Sequence, residues 1–109
     1  MTTFDDREKA FENKYAHDAE MQFKAEARRN KLLGIWAAEK LGLTGADAEA
    51  YAKSVVIADL KEAGDEDVYV KVKADLDAKG VAVTEAELRK RMSDLRVEAK
   101  AQVMSEAGN

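Results

Sequence analysis

Apolar positions in this chain recur at the 3.6-residue period of amphipathic helices, and the runs are broken at glycines. Ala48, Tyr51, Ala52, Val55 and Ala58 share one face of a helical wheel. So do Val68, Tyr69, Val72 and Leu76, and then Leu88, Met92, Leu95, Ala99 and Val103, around which Arg89, Lys90, Arg96 and Lys100 mostly turn to water. Gly42, Gly64 and Gly80 each follow a run of helix formers, where a residue with positive φ closes a helix without steric cost. Thr44 with Asp47, and Thr84 with Glu87, have the spacing of capping boxes, Val83 is placed to staple onto Leu88, and Asp65 reads as an N-cap. The pattern predicts helices over 5–41, 45–63, 66–79 and 85–106. Val68 to Val72 also alternates like a strand, but no second strand exists to pair with it and an isolated strand is not stable, so a helix is predicted there as well.

The first predicted helix divides in two. Between Met1 and Lys31 there is no Leu, Ile or Val, and seven acidic residues balance seven basic ones. The stretch Leu32-Leu33-Gly34-Ile35-Trp36-Ala37-Ala38 then carries the only Trp. The core is therefore expected to begin near Lys31 and to comprise Leu32, Leu33, Trp36, Tyr51, Val55, Val72, Leu76, Leu88, Met92 and Leu95, with Trp36 turned inward. A helix outside that core is marginal in water. The expectation is an all-α four-helix bundle over residues 21–109, preceded by a mobile arm over residues 1–20 that becomes helical on a partner.

Composition removes most chemistry. A chain of 109 residues is one domain, and Leu, Ile, Val and Phe together number 22 against 20 Ala, close to the lower limit for a packed core. The absence of Cys excludes a disulfide scaffold, a thiol nucleophile and Cys-ligated metal sites. One His excludes a three-His site and the paired Glu-x-x-His arrangement of a di-iron bundle, and no metal is expected. No apolar run approaches the ~20 residues that span a bilayer, and the acidic N-terminus is not a signal peptide. A net charge of -4 argues against nucleic acid. Ser54, Ser93 and Ser105 lie in or at the end of helices with no base beside them, no glycine-rich phosphate loop exists, and no carboxylate pair stands out as an acid/base couple. The chain does not read as an enzyme.

Three features remain. Arg28-Arg29-Asn30-Lys31 is a compact basic cluster, either a charged helix face at the edge of the core or an anion contact for a nucleotide phosphate or an acidic partner. His17 is either an exposed helix residue or a titrating group that tunes partner binding around neutral pH. Phe4, Phe11 and Tyr15 form a narrow aromatic stripe, interrupted by Glu8, that either folds back on the bundle or anchors the arm in a groove on another protein. Aromatics with Arg and without aliphatics favour the anchor.

The string Phe4-Asp5-Asp6-Arg7-Glu8-Lys9-Ala10-Phe11-Glu12, with Tyr15-Ala16-His17-Asp18, Phe23-Lys24, Ala27-Arg28-Arg29-Asn30-Lys31-Leu32-Leu33-Gly34, Trp36-Ala37-Ala38-Glu39 and Leu41-Gly42, closely resembles the zeta subunit family, the small inhibitor proteins of the alpha-proteobacterial F-type ATP synthase. The resemblance implies a four-helix bundle and an arm that enters a catalytic interface between the alpha and beta subunits near the rotating gamma subunit, becomes helical there and blocks the hydrolytic direction. On this chain the implied contacts are Phe4, Asp5, Arg7, Phe11 and Tyr15, with the bundle from Leu32 onward limiting insertion. It further implies a regulatory protein that requires no cofactor, at the cytoplasmic side of the inner membrane through the synthase and without inserting into it. Relatives have been linked to weak ADP or ATP binding, for which Arg28, Arg29 and Lys31 are the candidates. The alternative reading is a small helical adenine-nucleotide- or metabolite-binding protein that uses this cluster.

Overall fold

The computed structural model describes residues 19–61 and 65–108. Four helices, all of them α-helical and with no strand among the described residues, make up the fold: α1 (Ala19–Lys40), α2 (Gly45–Lys61), α3 (Asp65–Ala78) and α4 (Glu85–Gly108). The segment that alternates like a strand, Val68 to Val72, lies inside α3. Residues 1–18 of the expected arm, the predicted start of the first helix and Gly64 lie outside the described residues, whereas Ala19 and Glu20 already belong to α1.

Local chemistry sets the helix ends. At the end of α1, Gly42 donates its N–H to the Glu39 carbonyl at 3.2 Å and Leu43 donates to Ala38 at 2.9 Å. After α3 the same pair of bonds runs from Gly80 to Asp77 at 3.0 Å and from Val81 to Leu76 at 2.9 Å. Both glycines take positive φ, 78° and 75°, which a side chain would strain. At the start of α4 the Glu87 N–H donates to the Thr84 hydroxyl at 3.1 Å, and Val83 and Leu88 are both buried on the core side of that turn.

The other two predicted caps differ from expectation. At α2 the N–H groups of Asp47 and Ala48 donate to the Thr44 carbonyl, at 3.2 and 3.4 Å, rather than to its hydroxyl. Asp65 is the first residue of α3, and its carboxylate accepts from Arg29 and Arg96 instead of from the helix backbone.

The long α1 is the shared wall of the bundle. It packs most extensively on α2 and on α4, and α3 touches all three other helices, whereas no Cα of α2 comes within 8 Å of α4. Leu33, Ala37, Val55, Val68, Val72, Leu76, Val83, Leu88, Met92 and Leu95 form the main core. Leu32, Trp36 and Tyr51 pack against its edge and are only partly buried. Tyr51 sits at the edge because its hydroxyl donates to Asp75 at 2.8 Å, which ties α2 to α3 through a polar tip. A second, smaller cluster of Met21, Ala25 and Val103, with Met104 beside it, holds the N-terminal half of α1 on the C-terminal half of α4.

Candidate functional site

Between the two apolar clusters lies a polar seam. Arg29 and Asn30 are the buried polar residues of the described chain, and the Arg29 side chain is 1% exposed. Burying a guanidinium is costly unless charge and hydrogen bonds offset it. Here its Nε donates to Asn30 Oδ1 at 2.8 Å, and its Nη2 donates to Glu26 at 3.0 Å and to Asp65 at 2.9 Å. Arg96 of α4 reaches the same two carboxylates, with Nη1 donating to Glu26 at 2.8 Å and Nη2 to Asp65. Two cations and two anions thus pin α1, the start of α3 and the middle of α4 to one another. Arg29 Nη1 and Asn30 Nδ2 have no acceptor among the described residues.

This geometry disperses the expected basic cluster. Successive helical residues point about 100° apart, so Arg28, Arg29 and Lys31 leave α1 in three directions. Arg29 is enclosed in the seam and has no open edge for a phosphate. Arg28 donates across to α4, to Gln102 at 2.7 Å and to both oxygens of Glu106 at 2.8 and 3.0 Å. Lys31 is exposed at a groove between α1 and α2, with Ile35, Glu49, Ala52, Lys53 and Val56. Two of the three, Arg28 and Arg29, are thus bound to the protein's own carboxylates, and Lys31 leaves α1 on another side.

The arm contacts named from the sequence, Phe4, Asp5, Arg7, Phe11 and Tyr15, and also His17, lie outside the described residues. What the structure places is the start of α1, which follows them in sequence. Met21 and Ala25 bury against Val103, Arg28 is bound to Glu106, and Phe23 stands 58% exposed on the first turns of α1. The N-terminal half of α1 is therefore clamped to α4 by a small apolar cluster and by the bonds of Arg28 to Gln102 and Glu106.

Trp36 packs against the main core and is partly buried rather than enclosed. Its ring borders the core without entering it, and Lys40 Nζ and the Arg91 guanidinium lie 5.4 and 5.5 Å from its centroid. Sequence reasoning missed this because it rests on an α4 side chain fifty-five positions away, and periodicity alone does not say which helix lies opposite a given face. Among the described residues no group of His, Asp or Glu could hold a metal ion, and no helix is long and apolar enough to cross a membrane.

Comparison with known proteins follows the same outline. A family model described as ATPase inhibitor subunit zeta matches residues 1–102. A chain with a solution NMR structure is 58% identical, aligning over 79% of this chain and 98% of its own length with a TM-score of 0.69. No curated protein matches.

Proposed function

The chain belongs to the ATPase inhibitor subunit zeta family, and from that membership we propose that it restrains ATP hydrolysis by inserting residues 1–20 as a helix at a catalytic alpha/beta interface of the ATP synthase, near the rotating gamma subunit. The coarser role, an inhibitor of the ATP synthase and hence a regulatory subunit, comes with the family. The observation that carries the finer reading is that the family match includes the N-terminal segment with its aromatic stripe, Phe4, Phe11 and Tyr15, and not the bundle alone.

Physical chemistry supports this division of labour. Ordering ~20 residues costs roughly 1–2 kcal/mol each in backbone entropy. A segment without Leu, Ile or Val does not recover that cost by folding on itself. Aromatic anchors and desolvated arginine contacts in a groove on a larger partner do, and Phe4, Arg7, Phe11 and Tyr15 have that chemistry, with Asp5 beside them. The clamp of α1 on α4 supplies a fixed root, so that the bundle stops the arm at a set depth.

The test is to add the purified protein to its own host's ATP synthase and measure hydrolysis and synthesis separately. Hydrolysis should fall with added protein while synthesis is spared, and a chain lacking residues 1–14 should lose the effect. Full inhibition by the truncated chain would place the inhibitory surface on the bundle instead.

A further inference from the structure

We propose that Trp36, Lys40 and Arg91 form a second docking surface, on the bundle, that receives an acidic segment of the ATP synthase. This inference rests on the inhibitor reading above.

Of the five described arginines, Arg28, Arg29, Arg89 and Arg96 each bind one or more carboxylates of the chain. Arg91 does not, and neither does Lys40, and what each has instead is the Trp36 ring. A cation at the open side of a partly buried ring gains only about 0.5–1 kcal/mol and uses none of its N–H donors. The fork of Arg91 is therefore held in place with its donors still open to a carboxylate, the bidentate partner that guanidinium geometry suits.

Charge and composition then fix the occupant. Two unneutralised positive groups beside a half-buried indole, on a chain whose net charge is -4, complement an acidic segment rather than a basic or neutral one. Trp and Arg are also the side chains most enriched where single residues dominate protein–protein affinity. Trp36 is seventeen residues along α1 from Ala19, about 26 Å at the rise of an α-helix, so this surface lies at the other end of α1 from the helix's N-terminus.

The experiment compares two doubly reversed chains with the parent, Lys40→Glu with Arg91→Glu, and Lys53→Glu with Lys79→Glu. Lys53 and Lys79 are exposed and likewise bind no carboxylate among the described residues, so both variants change net charge equally. Binding to the host's ATP synthase by co-sedimentation, inhibition of hydrolysis and melting temperature are measured on all three. The expected result is that Lys40→Glu/Arg91→Glu needs about tenfold or more protein for half-saturation, while the control stays within about twofold and all three melt alike. Equal binding by all three would overturn the surface and leave the inhibitor reading standing. A parent that binds without inhibiting would overturn that reading, while the binding comparison still decides the surface. A parent that neither binds nor inhibits removes both. Quenching of the single Trp by Mg-ADP at micromolar concentration, or a dimer that Lys40→Glu/Arg91→Glu dissolves, would assign these residues to a nucleotide or to a second copy and overturn the proposal.

Discussion

Gly34 of α1 lies so close to Ala52 of α2 that a Cβ built on the glycine would stand 2.5 Å from the Ala52 Cα. The atom it would meet is backbone, so no side-chain rotation relieves the contact and the helices themselves must separate. Gly34→Ala raises helix propensity by about 1 kcal/mol, yet overpacking of this kind costs about 1–3 kcal/mol or more. The expected outcome is a net loss of stability, with a melting temperature at least about 5 °C below the parent's by calorimetry. A variant that melted higher would show the two helices to be farther apart than this.

Arg29 and Arg28 are neighbours in sequence with opposite consequences. Replacing Arg29 by Ala empties the space of an enclosed side chain and takes the donor from the buried Asn30 Oδ1, while Glu26 and Asp65 keep Arg96, and should cost about 2–4 kcal/mol in urea unfolding. Replacing Arg28 by Ala removes a pair whose side chains are 30% and 60% exposed and should cost about 1 kcal/mol or less. Equal losses would mean that Arg29 is not enclosed.

These two residues also mark what the sequence made legible. The turns at Gly42, Gly80 and Thr84 depend on bonds between residues a few positions apart, so residue types at fixed offsets were enough to place them. The faces of α2, α3 and α4 followed from periodicity for the same reason. The role of Arg29 depends on Asp65 and Arg96, thirty-six and sixty-seven positions on, and the need for glycine at position 34 depends on the register of α2. Neither is written in any local window. Asp65 shows the same limit in reverse. Its position suited a cap, and long-range pairing drew its carboxylate elsewhere.

Tyr51 gives the bundle an alkaline sensitivity. Burial first, then the hydrogen bond to Asp75 and that residue's charge, holds the phenol well above its ordinary range. In the unfolded chain the same group ionises near pH 10, roughly its reference value. Because the folded-state value is the higher, the stabilisation is fully present below about pH 10 and is lost as pH rises from there. Urea midpoints at about pH 9 and about pH 11 should fall more steeply for the parent than for Tyr51→Phe, which lacks the ionisable group. Identical slopes would show that the phenol is open to solvent.

Trp36→Ala is expected to cost about 2 kcal/mol, less than the roughly 3–5 kcal/mol of a fully enclosed Trp, because the ring only borders the core. Thermal unfolding checks this directly, and a loss above about 4 kcal/mol would put the indole inside.

Arm and bundle should separate cleanly in a truncation. Removing residues 1–14 takes away no Leu, Ile or Val, so the melting temperature should hold within a few degrees. Inhibition of the host enzyme should vanish with the same deletion, and Phe11→Ala alone should weaken it about thirtyfold, the equivalent of ~2 kcal/mol. Lys9→Ala, on the far side of the stripe, should change little. A truncated chain that unfolded would make the stripe part of the core.

That α2 and α4 do not touch each other, and are joined through α1 and α3, has a mechanical consequence. Such a molecule has one spine and two leaves. A pull applied along α1 from its N-terminal end loads the α4 side first, through Met21, Ala25 and Arg28, and reaches α2 only farther along, at Gly34 and Ala52. The leaf formed by α2 is thus sheltered from force that enters at the root, and the α1–α4 seam is the part that must bear it.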